Sequence, residues 1–315
     1  MRKALVVGLD DYADSPLSAC VNDAIRMESI LSKHGDGSPN FHVKTILNNV
    51  SKSILREAIH DLFSSDDDIA LLYFAGHGIV TSTGGYIVTT DTEIYDEGIS
   101  MDYILKIVNQ SKARDKVIIL DCCYSGNFGS ASFGEEANKL AQLCDGLTVL
   151  TASSKSGVSV ETKNGAGLFT SLLLDALEGG AADLRGNITP GSIYAYIDEA
   201  LGAWEQRPVF KTNVSRFTTL RTVNPVIPKE ILRKIKDYFP NPAEEISLNP
   251  SFEFTSDQAD KSNVSIFKEL QKYNSVGLVV PVGEEYMYYA AMNSKSCRLT
   301  ALGYQYWRLA KENKL

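Results

Sequence analysis

Two short segments of the sequence carry side chains that could act together as a nucleophile and a base. His77 stands between two glycines, directly after the apolar run Leu71-Leu72-Tyr73-Phe74. Cys123 ends an Asp-Cys-Cys triplet that directly follows a second apolar run. A thiol needs a nearby base or cation to become a thiolate at neutral pH, and histidine supplies both. Each segment alone also fits a simpler role, a turn histidine or a core cysteine, so the pair is more informative than either member.

The two apolar runs belong to an alternating pattern of strands and helices. Strands are predicted at 4–9, 41–47, 69–74, 117–120 and 147–150, and helices at 19–31, 52–63, 99–108, 167–177 and 193–201. This alternation predicts an α/β fold with a mainly parallel sheet sandwiched by helices. Ligands bind beyond the carboxyl ends of the strands in such sheets, and His77 and Cys123 both follow strand ends.

A second region begins where prolines become frequent, near residues 222–228. We therefore predict two domains, 1–222 and 228–315. The second reads as a helix (262–273), an apolar strand (276–282), a turn at Gly283, an aromatic strand (286–292) and a helix (300–312). That order resembles a winged-helix module, without a diagnostic motif. We expect a small α+β domain with a regulatory or protein-interaction role.

Composition argues against several classes of protein. The net charge of −8 disfavours nucleic acid as the main partner, because phosphate binding needs a basic surface. The five cysteines include no CxxC pair, and the four histidines do not cluster with them, so neither zinc nor a disulfide framework is indicated. A reducing, cytoplasmic compartment fits best. The N-terminal apolar run ends at Asp10, too soon for a signal peptide, and no segment reaches transmembrane length.

The segments around His77 and Cys123 resemble the caspase–metacaspase superfamily of cysteine peptidases. Tyr73–Gly78 and Asp121–Gly126 are similar to its His-Gly and Asp-x-Cys-x-x-Gly motifs. Further similar segments are Ala4–Tyr12, Cys20–Ala24 and Gly167–Thr170. Cys123 follows His77 by 46 residues. In caspases the separation is about 50 residues.

The resemblance implies a cysteine endopeptidase with a Cys-His dyad. The family motif aligns the nucleophile with Cys123 and not with Cys122. Side chains alternate along a strand, so Asp121 and Cys123 are expected on one face and Cys122 in the core. By resemblance, His77 activates Cys123 or protonates the leaving amine, and the backbone N–H groups of Gly78 and Cys123 form an oxyanion hole. No third catalytic residue can be assigned from the sequence.

The resemblance also implies a preference for cleavage after a basic residue. Tyr124 follows the nucleophile, where caspases that cut after aspartate carry an arginine. Metacaspases place acids at the positions of Asp121 and Asp23 to bind Arg or Lys. Arg is expected to be preferred, because its planar fork suits carboxylates better than a point charge does. Asp23 also fits a simpler role as a first-turn helix acid, which stabilises by about 0.3–1 kcal/mol.

Calcium and activation are separate questions. Many metacaspases bind calcium through a dense acidic cluster, and Asp91, Asp96 and Glu97 do not form that pattern, so calcium is unsupported and no cofactor is expected. The Gly/Ser-rich stretch 125–134 and the polar stretch 135–144 correspond to a segment that is often cut on activation in the family. Lys139 is the basic residue in it and a candidate processing site, although a solvated helix lysine fits equally well.

These observations lead to one main hypothesis and two alternatives. The main hypothesis is a latent cytoplasmic peptidase that acts on protein substrates, is activated by a protein partner or by processing, and, by resemblance, belongs to a prokaryotic defence or stress pathway. The first alternative is a catalytically silent caspase-like scaffold or interaction protein. The second is a regulator that acts through the winged-helix-like tail, although the nearly balanced charge of that tail is unlike a DNA-binding surface.

Overall fold

The structure is a computed structural model that describes residues 1–91, 97–122, 143–152, 167–201 and 208–315. The chain forms two compact units. The first unit consists of Met1–Asp183 and Asn187–Val223, and the second of Leu184–Gly186 and Asn224–Leu315. The roles predicted for domains 1–222 and 228–315, catalysis and regulation, stay predictions. No helix in the described ranges is long and apolar enough to cross a membrane.

The first unit alternates strands and helices along most of its length. In chain order its elements are β1 (Arg2–Gly8), α1 (Cys20–Ser32), β2 (His42–Leu47), α2 (Lys52–Ser64), β3 (Ile69–Ala75), β4 (Gly78–Thr81), β5 (Gly84–Ile87), β6 (Ile99–Ser100), α3 (Met101–Gln110), β7 (Asp115–Asp121), β8 (Leu147–Thr151), α4 (Leu168–Asp175), a π-helical turn (Ala176–Gly180), β9 (Asn187–Ile188), α5 (Pro190–Leu201), β10 (Val209–Asn213) and β11 (Arg221–Thr222). The helix predicted at 99–108 therefore begins two residues later, after the short strand β6.

A six-stranded sheet forms the centre of this unit. Its strand order is β10-β8-β7-β3-β1-β2, and only the edge pair of β10 with β8 is antiparallel. All seven residues of β3 are buried, as expected for a central strand covered on both faces. The predicted α/β fold with a mainly parallel sheet is confirmed.

The two faces of the sheet are covered by different helices because side chains alternate along each strand. On β3, Leu72 and Phe74 pack towards α2 and α3. Leu71 and Tyr73 of the same strand pack towards α1, α4 and α5. On β7 the same alternation assigns Ile118, Leu120 and Cys122 to the core under α2 and α3. Cys122, directly after the end of β7, thus still follows the alternation of the strand.

The second unit has a small antiparallel sheet and its own apolar core. Its elements are α6 (Lys229–Tyr238), β12 (Ile246–Ser247), a 3₁₀ turn (Pro250–Phe252), α7 (Lys261–Ser275), β13 (Val279–Val282), α8 (Met287–Met292), β14 (Ser296–Leu299) and α9 (Ala301–Lys311). The strand order is β12-β14-β13. Phe267, Leu270 and Tyr273 of α7 are part of its buried core.

The aromatic strand predicted at 286–292 is wrong, since these residues form helix α8. Its buried residues are Met287, Ala290 and Ala291, which have the spacing of one helix face. Tyr288 and Tyr289 are exposed, so β-propensity is overridden by the burial pattern. The strand that pairs with β13 comes later, as β14. The winged-helix-like character of this unit stays a prediction.

Candidate active site

The carboxyl ends of β1, β3 and β7 lie at the same level of the sheet. Gly8 of β1 is in register with Ala75 of β3, and Ala75 is in register with Asp121 of β7. His77 follows Ala75 by two residues, as Cys123 follows Asp121 in the sequence. Cys123 itself lies outside the described residues, so its pairing with His77 stays a prediction.

His77 has a defined hydrogen-bonding partner for one ring nitrogen. Its Nε2 lies 2.6 Å from the carbonyl oxygen of Ser15. A carbonyl can only accept, so Nε2 must carry the proton, and Nδ1 is then the basic nitrogen of the neutral ring. The sequence could not reveal this contact, because Ser15 makes it through its backbone.

Tyr12 contacts His77 through both its ring and its hydroxyl group. The two rings are 4.5 Å apart between centroids and tilted by 57°. The Tyr12 hydroxyl accepts the backbone N–H of His77 at 3.0 Å and donates to the carbonyl of Val88 at 3.1 Å. Burial raises the pKa of Tyr12, so the hydroxyl keeps the proton that it donates. The orientation of His77 is therefore held at both its ring and its backbone.

The loop that supplies the Ser15 carbonyl is anchored by Asp10. The Asp10 carboxylate accepts the backbone N–H groups of Cys20 at 2.9 Å and Val21 at 3.1 Å, at the start of α1. The backbone N–H of Asp10 donates to Asn48 Oδ1 at 2.7 Å. A carboxylate at a helix N-terminus satisfies N–H groups that have no partner within the helix. Asp10 thus joins the end of β1, the Ser15 loop and helix α1.

The structure brings Asp23 and Asp121 together beside the start of α4. Asp23 is 1% exposed, and its Oδ2 accepts the backbone N–H of Gly167 at 3.2 Å. Asp121 is half-buried, and its Oδ2 accepts the hydroxyl of Thr170 at 2.6 Å. A Cβ atom placed on Gly167 would lie 3.4 Å from Asp23 Oδ2 and 3.1 Å from Asp121 Oδ2. Both carboxylates therefore border the same small space.

Within the described ranges, neither carboxylate forms an ion pair. The Oδ1 atom of Asp23 is buried and has no hydrogen-bond partner among the residues that the structure describes. Burial, with the charge of Asp121 as a smaller contribution, raises the pKa of Asp23 to about 6, although the Gly167 N–H opposes the rise. Burial also raises the pKa of Asp121, against the hydrogen bond from Thr170. The charge of Arg26 also opposes the rise in the pKa of Asp23, but as a smaller contribution than the charge of Asp121. A cation that enters the pocket would therefore stabilise these two partly desolvated acids further.

The sequence pattern of the caspase domain family, peptidase C14, matches residues 1–217. The chain belongs to this family of cysteine peptidases. A similar solved structure is caspase-1 from Spodoptera frugiperda, with 12% sequence identity and a TM-score of 0.50 over 70% of this chain and 90% of that chain. At that identity the likeness shows the fold alone, which is caspase-like. A search of curated proteins finds no match.

In this caspase domain, Cys122 and Cys20 are both poorly suited to be the nucleophile. Cys122 is 3% exposed and packs in the core under α2 and α3, which confirms the prediction that it faces away from Asp121. Burial, followed by the charges of Asp10, Asp121 and Asp23, raises the pKa of the Cys20 thiol and suppresses its thiolate.

Two predicted site residues remain, Gly78 and Lys139, and the structure describes the first of them. Gly78 is buried at the start of β4, where it pairs with Ile87. Its share in an oxyanion hole stays a prediction, because the second donor, Cys123, lies outside the described residues. Lys139 lies outside them as well.

The acids considered for calcium do not form a described metal site. The Asp91 carboxylate accepts the backbone N–H of Lys52, with both oxygens at 3.0 Å, and the hydroxyl of Thr89 at 2.7 Å, and thus helps to cap α2. Asp96 lies outside the described residues. The part of the chain that the structure describes holds no group of three or more potential metal ligands. Whether the enzyme needs calcium stays open to test.

Proposed function

We propose that this protein is a cysteine endopeptidase that cleaves protein substrates after a basic residue, with Arg preferred to Lys. One observation carries the proposal: Asp23 and Asp121 converge at the carboxyl edge of the sheet without a described ion-pair partner. A substrate guanidinium would supply a countercharge and hydrogen-bond donors within the pocket itself. An acidic side chain would add a third negative charge to the same space and be rejected.

In the proposed mechanism Cys123 is the nucleophile and His77 its base. The imidazole Nδ1 takes the thiol proton, and the thiolate attacks the carbonyl carbon of the scissile peptide bond. The C–N bond then breaks, and His77 returns the proton to the leaving amine, which leaves a thioester on Cys123. Water hydrolyses the thioester and restores the thiol. The Ser15 carbonyl, 2.6 Å from Nε2, favours the tautomer with the proton on Nε2, which leaves Nδ1 to take the thiol proton.

The pocket assigned to Asp23 and Asp121 suits Arg better than Lys. A guanidinium presents several N–H donors in one plane and can bond to both carboxylates at once, whereas an ammonium acts as a compact point charge. Loss of one carboxylate charge is expected to cost roughly 2–5 kcal/mol of transition-state stabilisation, the range for removing one member of a desolvated charge pair.

A series of otherwise identical peptides tests this proposal. The residue before the scissile bond would be Arg, Lys, Asp or citrulline, which is close to Arg in shape but uncharged. We expect cleavage after Arg to be fastest and Asp121→Asn to slow it strongly, with little effect on citrulline. Asp102→Asn, which removes an exposed acid from the first turn of α3, is the matched control. Efficient cleavage after Asp, or no response to Asp121→Asn, contradicts the acidic pocket.

Activation and cellular role are further proposals that rest on the family resemblance. We infer that the enzyme is latent and cytoplasmic, that a protein partner or cleavage at Lys139 activates it, and that it acts in prokaryotic defence or stress. We also infer that the second unit binds a protein and not DNA, because its charges nearly cancel. Tight, salt-sensitive binding of the full chain to duplex DNA would contradict that last inference.

A further inference from the structure

The first turn of α4 holds both acidic residues of the proposed pocket by one oxygen each. The Gly167 N–H bonds to Oδ2 of Asp23, and the Thr170 hydroxyl bonds to Oδ2 of Asp121. The φ of Gly167 is −62°, an ordinary value for any residue. The backbone conformation therefore does not require glycine at this position. The absence of a side chain on Gly167 leaves a space that both carboxylates border.

The hydroxyl of Thr170 is the middle of a buried hydrogen-bond chain. Its Oγ1 lies 2.6 Å from Asp121 Oδ2 and 2.7 Å from the hydroxyl of Tyr73. Thr170 and Tyr73 are both 0% exposed. The Asp121 carboxylate accepts the single hydroxyl proton of Thr170, so Tyr73 must donate to Thr170. Burial raises the pKa of Tyr73 well above its usual range, so Tyr73 retains its proton for that bond.

Tyr73 connects this chain to the strand that leads to His77. It lies on β3, four residues before the histidine, and faces the side of the sheet that α4 covers. The hydrogen bonds run from Tyr73 on β3 to Thr170 on α4, and from Thr170 to Asp121 at the end of β7. Asp121 is thereby oriented by groups that have no contact with water and little freedom to move. A buried network that is fully satisfied fixes one geometry.

We propose that Thr170 and Tyr73 are positioning residues for substrate specificity, which hold Asp121 so that its other oxygen faces the basic side chain of the substrate. This inference rests on the proposed function. A short hydrogen bond from a neutral donor to a carboxylate is stronger than one between neutral groups, so it stabilises the charged form that the substrate requires. A purely structural role would instead affect all substrates equally.

Three variants and two substrates test this relay, the hydrogen-bond chain from Tyr73 through Thr170 to Asp121. Thr170→Val removes the hydroxyl at nearly constant shape, Thr170→Ser keeps it, and Tyr73→Phe removes the outer donor. The readout is the ratio of kcat/KM for the Arg peptide to kcat/KM for the citrulline peptide. We expect Thr170→Val to lower this ratio roughly 10- to 100-fold, as for one hydrogen bond to a charged group. Thr170→Ser should restore it to within about 3-fold, and Tyr73→Phe should lower it less than Thr170→Val.

Two controls separate positioning from general damage. Thr148→Val removes another buried threonine hydroxyl, one that bonds to Thr212 and not to a carboxylate, and should leave the ratio unchanged. Alkylation of Cys123 by iodoacetamide should proceed at the wild-type rate in all variants. If Thr170→Val does not fold, the comparison of Tyr73→Phe with wild type and Thr170→Ser still decides the outcome.

The results distinguish failure of the relay from failure of the proposed function. If the wild-type enzyme cleaves the Arg and citrulline peptides equally well, the acidic pocket is wrong and the relay with it. If the wild type prefers Arg and both Thr170→Val and Tyr73→Phe keep that preference, the relay alone is overturned. Equal losses on both peptides would show a structural role and also overturn it.

Discussion

Replacement of Asp23 by Asn should make the protein more stable at neutral pH while impairing cleavage after Arg. Asp23 is almost fully buried, its Oδ1 has no hydrogen-bond partner in the described part of the chain, and its pKa rises from an ordinary 3.8 to about 6. An isolated acid in the first turn of a helix is usually stabilising, by about 0.3–1 kcal/mol. A buried acid with a raised pKa predicts that Asp23→Asn increases the stability of the protein. A stabilising helix acid predicts that the same substitution decreases it.

The magnitude follows from the pKa of Asp23. A rise of about two pKa units means that folding penalises the charged carboxylate by about 3 kcal/mol. Below pH 3.8 the group is protonated in the folded and unfolded states, so no charge penalty exists. As the pH rises through about 6 the folded state becomes charged as well, and the stability associated with the protonated form is lost. Asn has no proton to lose and is expected to retain that stability.

The assay is thermal unfolding of the full chain at pH 4 and pH 8. Both proteins would carry Cys123→Ala, so that self-cleavage cannot change the sample. A difference of 1 kcal/mol shifts the midpoint by roughly 2–4 °C in a unit of this size, so the penalty of about 3 kcal/mol predicts that Asp23→Asn raises it by roughly 6–12 °C at pH 8. Little difference is expected at pH 4. The control Asp102→Asn should show no such gain.

Two results would refute this reasoning. A lower midpoint for Asp23→Asn at pH 8 would show that Asp23 is a stabilising helix acid and that its burial carries no penalty. A gain of equal size at pH 4 and pH 8 would show that the effect does not depend on ionisation. Either result would show that the ionised Asp23 carboxylate is not destabilised by burial, which is the physical basis for cation binding in the acidic pocket.

Three further predictions concern the dyad, the pocket and activation. Cys123→Ala and His77→Ala should each abolish peptide cleavage without unfolding the protein, whereas Cys122→Ala should keep most of it; the reverse pattern would reassign the nucleophile. The ratio of kcat/KM for Arg and citrulline peptides should rise with pH as Asp23 ionises in the free enzyme, with a midpoint near 6, and should lose that midpoint in Asp23→Asn. Both peptides are cleaved by the same groups, so the ratio isolates the effect of the pocket, and a flat wild-type ratio contradicts the pocket. Activation is predicted to need a partner, cleavage near Lys139, or both; mass spectrometry of active protein tests the cleavage, and an intact, fully active chain that Lys139→Ala leaves unchanged would exclude processing there.

Much of the sheet could be predicted from the sequence because its central strands are continuous apolar runs. The run before Cys122 defines β7, and the two-residue period of a strand was enough to assign Cys122 to the core. The edge strand β10 and the hairpin of β4 and β5 have half-exposed, weakly patterned residues, so they gave no comparable signal. In the second unit, aromatic residues suggested a strand where the burial of Met287 and Ala290 requires a helix.

The candidate site could be predicted only where side chains carry the chemistry. His77, Asp23 and Asp121 stand in motifs that can be read from the sequence. The Ser15 carbonyl could not be found in this way, because every residue has a carbonyl and only the fold selects one. Thr170 stands in a motif, yet its bond to Asp121 depends on how α4 packs beside β7.

Covalent labelling tests the central claim most directly. A peptide with Arg followed by a chloromethyl ketone would be reacted with the full chain, and the modified residue identified by mass spectrometry. The proposed function predicts a label on Cys123, no label in His77→Ala, and much slower labelling by the citrulline analogue. A label on Cys20 or Cys122, or equal labelling by the Arg and citrulline probes, would contradict it.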